Sequence, residues 1–172
     1  LGAVLFLHPT GFTQGDRLAA YHLNNVVGNP LDTTVALSHL IYSGVLDLHP
    51  DLKICVAHGG GMMPAYAGRF DHAYRVRHDC NAHCQHEPSH YLRKMYFDTV
   101  VFDPDQLAWL AKKYGASQLL LGTDYPYDMA ETSPLRLLDQ AGLSDADRNA
   151  ISGGNAQRLF GLASSARVQP SL

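Results

Sequence analysis

The sequence predicts an α/β domain built on parallel strands, and three observations support that prediction. Short apolar runs alternate with longer segments of helical period, the mark of repeated β–α units. The runs are almost continuously hydrophobic, as strands covered on both faces are. Three of them deliver a metal-ligating or acid/base side chain just past their end: LGAVLFLHP leads to His8, LKICVAHGGG to His58 and SQLLLGTDYP to Asp124. In a parallel α/β sheet the C-terminal strand ends open on one face, where the active-site loops lie. Side chains 50 and 66 positions apart in the chain are thereby placed to converge.

Strands are expected at about 2–7, 52–57, 95–100 and 118–122. Between the first two, Asp32 is placed to cap a helix over about 33–47, where Val35, Leu37, Leu40, Ile41, Val45 and Leu46 recur at helical spacing. A helix from about Met62 to Tyr74 follows the glycine run. Asp103 before Pro104 sets an N-cap ahead of a proline at the first helical position, opening a helix that runs to about Tyr114 and stops at Gly115. Ser133 before Pro134 repeats that signal for a helix to about Gln140, Ser144 opens another to about Ile151, and Asn155 begins the amphipathic turn NAQRLFGL. The tail over 163–172 is expected to be flexible.

Four strands with flanking helices amount to half of a (β/α)8 TIM-like barrel, a fold that takes roughly 250 residues. Residues 1–162 are therefore read as a half-barrel. The chain opens on Leu1 inside a strand pattern without an initiator methionine, which reads as the start of a fragment. A half-barrel leaves two open sheet edges, to be covered by the missing half or by a partner.

At 172 residues with 46% hydrophobic and 17% charged content, the chain can bury a core, which sets disorder aside. A net charge of −3 without a cluster of Lys or Arg argues against nucleic-acid and anionic-membrane partners and leaves a small molecule. The apolar runs fall far short of the about 20 residues that a membrane span needs. With no basic leader and apolar signal region visible, and three irregularly spaced cysteines, the reading is a cytoplasmic protein.

Each strand-end residue has a plain structural reading beside the chemical one. His8, followed by Pro9, suits a neutral imidazole ligand, or simply caps a loop. His58 precedes Gly59, Gly60 and Gly61, whose backbone freedom permits close approach of a ligand; this suits a general base, or else a turn histidine. Asp124, between Gly122 and Pro126, can bind a divalent cation, carry a proton, or cap a turn. CNAHCQH crowds Cys80, His83, Cys84 and His86 into seven residues, but zinc ligands normally come as pairs on separated elements, so the segment reads as packing or surface. His22, His39, His49, His72, His78 and His90 show no partner pattern. Asn24, Asn25 and Asn29, in a loop before the first helix, suit a pocket lining or ordinary turns. Trp109 lies off the apolar stripe of Leu107, Leu110, Ala111 and Tyr114 and reads as an exposed aromatic under a loop, or a subunit contact.

The segments FLHPTGF, LNNVVGNPLDTTVALSHLIYSGVLDLHPDLKICVAHGGGMMPAYAGRFDHAY, MYFDTVVFD, LLLGTDYPYDM and NAQRLFGL together resemble the C-terminal half of the amidohydrolase superfamily, and within it the aminocarboxymuconate-semialdehyde decarboxylase family. The resemblance implies that His8 is a metal ligand, that Asp124 is a ligand able to handle a proton, and that His58 is the catalytic acid/base. It also implies that Arg69 reaches a neighbouring subunit's site in a homodimer to hold a substrate carboxylate, as its bidentate fork allows. The plain alternative for Arg69 is a solvated residue or an ion pair with Asp71. The His-x-His pair that the family carries on its first strand is absent from this sequence.

These readings point to a metal-dependent carboxy-lyase acting on an unsaturated or aromatic carboxylate, with zinc as cofactor and manganese as the alternative, active only with the N-terminal half. Two rival readings are a metal-dependent hydrolase or hydratase of a lactone, amide or enol acid, and a non-catalytic truncated fragment.

Overall fold

The first strand, β1 (Val4–Leu7), pairs with β2 (Lys53–Val56), which pairs with β3 (Tyr96–Asp98), which pairs with β4 (Leu119–Leu120), in the order of the chain and all parallel. This is the expected half of a barrel; the computed structural model describes residues 2–10 and 16–162. The tail expected over 163–172 lies outside the described residues. The strands are shorter than their apolar runs. β3 ends at Asp98 because Thr99 turns its backbone out of the ladder, and β4 is followed at once by the loop that carries Asp124.

Because neighbouring strands are parallel, every connection crosses over through helices. The first holds α1 (Asn29–Tyr42) and α2 (Val45–Leu48); the second holds α3 (Met63–Val76), α4 (His78–Asn81) and α5 (Pro88–Leu92); the third holds α6 (Pro104–Tyr114). After β4 come α7 (Pro134–Gln140), α8 (Asp145–Asn149) and α9 (Asn155–Phe160).

Alternation along the strands sorts the side chains onto two faces. Leu7, Val56, Phe97 and Leu119 share a row of the register and pack under the helices with Leu37, Ile41, Met63, Leu107 and Leu110. At about 25 cal/mol per Å2 of apolar surface, each such fully buried side chain contributes about 1.5–3 kcal/mol before entropy is counted. The opposite face carries Phe6, Cys55, Tyr96 and Leu120, with Leu159 and Ala156 of α9 packed against it. Continuous hydrophobicity suggests cover on both faces, but Phe6 is 58% exposed, so among the described residues the inner face is half open.

Several elements depart from the sequence expectation. The first helix begins at Asn29 rather than beyond Asp32, because Pro30 occupies its first turn, where fixed φ and a missing N–H do no harm. Asp32 is therefore inside the first turn and is not the cap. The helix ends at Tyr42, since Gly44 takes a left-handed φ of 75° and restarts the chain as α2. Asn24 and Asn25 lie in a helical segment, Asn24–Gly28, rather than in a loop. The helices α4 and α5 carry no strong periodic signal because their four and five residues are too short for one. Trp109 is half-buried, packed on the core and edge-on to Tyr114 at 6.1 Å between ring centroids, so it is not an exposed aromatic.

The caps behave unequally. Asp103 accepts from the N–H groups of Asp105 and Gln106, and Ser144 from that of Asp147, as expected, whereas the Ser133 side chain makes no cap bond. Asn155 starts α9 but its side chain is buried, and Nδ2 donates to the carbonyls of Ala116 and Leu119, both at 2.7 Å. Those two bonds hold the short last strand in place.

Asn155→Ala removes both of these bonds and opens a small void, so unfolding free energy is expected to fall by about 2–4 kcal/mol in denaturant titration. A second outcome concerns pH. Burial pushes the Tyr114 phenol, which donates to the Pro64 carbonyl at 2.7 Å, and the Cys55 thiol each up to about 12. Both groups hold their proton more tightly folded than unfolded, so their contribution to stability is complete below about pH 9 and is lost as pH rises towards about 12. Denaturation midpoints are expected to decline across that window; a flat profile would contradict the burial of both groups.

Candidate metal centre

Each strand end contributes one residue to the mouth of the sheet: His8 directly after β1, His58 two residues after β2, Asp98 as the last residue of β3 and Asp124 four residues after β4. His8 follows Leu7, the last residue of β1, and alternation directs it to the inner face with Phe6. Its Nδ1 lies 2.8 Å from the Pro9 carbonyl, which can only accept, so Nδ1 carries the hydrogen. In the neutral ring Nε2 is then a lone pair, the tautomer that a metal ligand requires.

His58 sits in a left-handed turn with φ of 55°, followed by Gly59, Gly60 and Gly61, all with positive φ. Two of these glycines are required by space as well as by conformation. A Cβ on Gly60 would come within 2.8 Å of the Phe97 ring, and one on Gly61 within 2.6 Å of the Pro30 carbonyl. Thr34 of α1 completes the seat by accepting from the Met62 N–H at 3.0 Å. Asp124 also has a left-handed φ, 62°, held by a Glu131 N–H to Thr123 carbonyl bond of 2.7 Å and a Tyr127 N–H to Asp124 carbonyl bond of 3.0 Å. Left-handed conformations at two non-glycine residues cost on the order of 1–3 kcal/mol each and concentrate at functional sites.

The three side chains converge. Asp124 Oδ1 lies 3.3 Å from His8 Nε2 and Asp124 Oδ2 3.5 Å from His58 Nε2, with the two imidazole rings 5.0 Å apart. One ligand atom from each lies within 4.8 Å of the other two, and they form the one such group among the described residues. The carboxylate is 13% exposed. Nδ1 of His58 is buried and unpartnered among the described residues. The donor set fits a divalent cation: two imidazole nitrogens and a carboxylate point at a common centre. The His8 lone pair faces a carboxylate oxygen, an arrangement that repels unless a proton or a cation lies between. His58 thus stands at the same centre as His8 and Asp124, the convergence that the parallel strand ends led the sequence reading to expect.

Two cavities meet at this cluster. One, of about 510 Å3, is walled by Val4, Phe6, Cys55 and Leu120 and rimmed by His8 and Asp124. The other, of about 330 Å3, brings Asn25, Asn29, Val101 and Phe102 to the opposite side of His58 and Asp124. Asn25 and Asn29 thus line a pocket, as one of their two sequence readings has it; Asn24 does not. Cys55, with its thiol pushed up to about 12 by burial, stays protonated near neutral pH and supplies no thiolate nucleophile.

Asp98 is the site residue that sequence reasoning missed. It ends β3 in the register row of Leu120 and reaches the inner face beside the cluster. Burial pushes its carboxyl above the usual carboxylate range, opposed by the main-chain N–H groups of Gly59, His58 and Val100 and by the His58 imidazole. The signal was present in YFD, a polar residue at the end of a strand, but the apolar run VV beyond it hid where the strand stops.

The other candidates fall away from the cluster. Arg69 is exposed on α3, lines neither cavity and makes no ion pair among the described residues; Asp71 is buried and accepts from the Ser89 N–H at 2.9 Å instead. CNAHCQH forms no metal group among the described residues: Cys84 is in the core, and the Gln85 N–H donates to Asp47 and to the Tyr91 hydroxyl. No helix among the described residues is long and apolar enough to cross a membrane.

A family model described as amidohydrolase matches residues 1–162. A 2-amino-3-carboxymuconate-6-semialdehyde decarboxylase of Dictyostelium discoideum is 36% identical over 164 residues, covering 94% of this chain and 46% of that protein. The crystal structure of 5-carboxyvanillate decarboxylase from Sphingomonas paucimobilis superposes with a TM-score of 0.84 at 26% identity, over 94% of this chain and 50% of that one. A dihydroxybenzoic acid decarboxylase from a Polaromonas species, solved with bound manganese and the inhibitor 2-nitroresorcinol, superposes with a TM-score of 0.79 at 25% identity, over 94% and 50%. The chain thus spans about half the length of these relatives.

If the cluster holds a cation, Asp124→Ala removes the central donor. Manganese affinity measured by calorimetry is expected to fall by more than the roughly 10–100-fold that loss of an outer-shell partner costs. An unchanged affinity would place the ion elsewhere.

Proposed function

Since the chain belongs to the amidohydrolase family, we propose that it forms the metal-binding half of a decarboxylase acting on an unsaturated or aromatic carboxylate. The observation that carries this reading is the convergence of His8, His58 and Asp124 at the mouth of the sheet. The decarboxylases among its relatives favour carbon dioxide release over hydrolysis or hydration.

His8 Nε2 and an Asp124 oxygen would hold the divalent cation, zinc or manganese, the latter supported by the manganese in the Polaromonas relative. When bound, that ion supplies Lewis-acid stabilisation of developing negative charge. The inner-face wall of Val4, Phe6 and Leu120 gives a planar apolar substrate an apolar surface to pack against. As the bond between ring or chain carbon and carboxylate breaks, carbon dioxide departs and its electron pair stays on carbon. His58 delivers a proton from Nε2 to that carbon, and the Asp124 carboxylate 3.5 Å away orients the imidazole and balances its charge.

The remaining groups belong to strands that this sheet lacks, since β1 and β4 are both edges and the relatives are twice as long. Arg69, exposed and without an ion pair among the described residues, is assigned the role of holding a substrate carboxylate across a homodimer. The free state of Cys55, Cys80 and Cys84 suits a reducing cytoplasm.

The test is carbon dioxide release from 2-amino-3-carboxymuconate-6-semialdehyde and from 2,6-dihydroxybenzoate. The chain alone is expected to bind manganese weakly and to release none. Joined to a barrel half that completes the sheet, it is expected to release carbon dioxide, to stop after chelation and to resume with manganese or zinc. His58→Ala is expected to slow turnover by about 100–10,000-fold. A product formed without carbon dioxide, or turnover indifferent to His58→Ala, would overturn the assignment.

A further inference from the structure

Asp98 is a buried carboxylate whose bonds go to main-chain N–H groups. Its Oδ1 accepts from the Gly59 N–H at 2.9 Å and from the Val100 N–H at 3.1 Å, and the His58 amide lies close by. The bond to Val100 is local, two residues along, and a turn-forming Asn or Ser would serve it equally. The bond to Gly59 spans 39 residues and joins the end of β3 to the loop that carries His58. Successive N–H groups in that left-handed turn open towards one side, a concavity suited to an anion.

The same carboxylate also abuts the loop of Asp124. A Cβ on Gly122 would lie 2.9 Å from the Asp98 Cβ and 3.4 Å from its Cγ, so glycine there lets the chain leaving β4 lie directly on Asp98. The neighbouring Thr99 Oγ1 accepts from the Gly122 N–H at 3.2 Å. Asp98 and Thr99 therefore touch both loops whose left-handed residues, His58 and Asp124, face each other at 3.5 Å. Asp98 does not belong to the group of atoms that converge on the proposed ion, so any effect it has on the site passes through other residues.

We propose that Asp98 is a positioning residue: by accepting the Gly59 and Val100 amides and packing on Gly122, it holds the left-handed His58 turn and sets the spacing between His58 and Asp124. A plain structural buttress would be apolar, since an unpaired buried carboxylate costs more than a packed leucine. A carboxylate at this position is explained by the amides it gathers. The role deepens the decarboxylase reading in its catalytic consequence, but the geometric claim stands on the loop itself.

The experiment compares Asp98→Asn, which keeps the acceptor oxygen, with Asp98→Ala, which removes it. Three readouts apply to each: hydrogen exchange of the Gly59 and Val100 amides, the imidazole NMR signals of His58, and manganese affinity per folded molecule. Asp98→Asn is expected to keep amide protection, His58 signals and affinity near those of the parent protein. Asp98→Ala is expected to lose protection at Gly59, to shift the His58 signals and to bind manganese about 10–100-fold more weakly. If Asp98→Ala fails to fold, Asp98→Ser takes its place, because its hydroxyl is too short to reach the Gly59 amide, and the same losses are expected. Unmoved His58 signals in a folded Asp98→Ala or Asp98→Ser protein overturn the proposal, as does loss of them in Asp98→Asn. Failure of the decarboxylase assignment shows separately, as absent carbon dioxide release from the chain joined to a completing barrel half, with these three readouts intact.

Discussion

The Asp124 carboxylate lies between two imidazoles, and the rest of the molecule is arranged to allow that contact. Its two oxygens face His8 at 3.3 Å and His58 at 3.5 Å, although the three residues come from the first, second and last strands of the sheet. Parallel pairing makes this possible. When every strand runs the same way, all C-terminal ends arrive at one rim, and side chains distant in the chain need travel only the width of the sheet.

The contact is held by strain as well as by register. His58 and Asp124 both adopt left-handed backbone, which side chains other than glycine rarely take. The fold compensates for this with glycines in the His58 turn, main-chain bonds across the Asp124 loop and the helix-packed face of Phe97, Val56 and Leu119. The helix-packed face is the stable half of the molecule. The inner face, with Phe6 more than half exposed and two cavities at its mouth, is where chemistry has room. Asp98 stands on the boundary, its carboxylate turned to the strained loop from the last ladder position of β3.

Much of this was legible in the residues. The helix beginning at Pro104 is announced by Asp103 and ends at Gly115, and the structure follows both signals because caps and left-handed glycines act within a few residues. His8, His58 and Asp124 stood out because each pairs a reactive side chain with the end of an apolar run. Other features depended on contacts between distant segments. Asn155 reads as a helix start, yet its amide is spent on the carbonyls of Ala116 and Leu119. Trp109 lies off its helix's apolar stripe, yet Tyr114 and the core cover it. Asp98 was hidden because Val100 and Val101 continue the hydrophobic run beyond it, and only the ladder shows that β3 ends at Asp98.

By itself the sequence determined the parallel α/β class, the alternation of strands and helices, and the chemical types offered at the strand ends, because periodicity, capping and turn chemistry are local properties. Only the tertiary structure decided the 3.3 and 3.5 Å at which His8 and His58 meet Asp124, that Arg69 lies away from them, and that the Asp98 carboxylate accepts from the Gly59 amide. Those outcomes depend on register and on left-handed turns packed against neighbouring strands, and distances of a few ångströms across a sheet have no imprint on the spacing of residues along a chain.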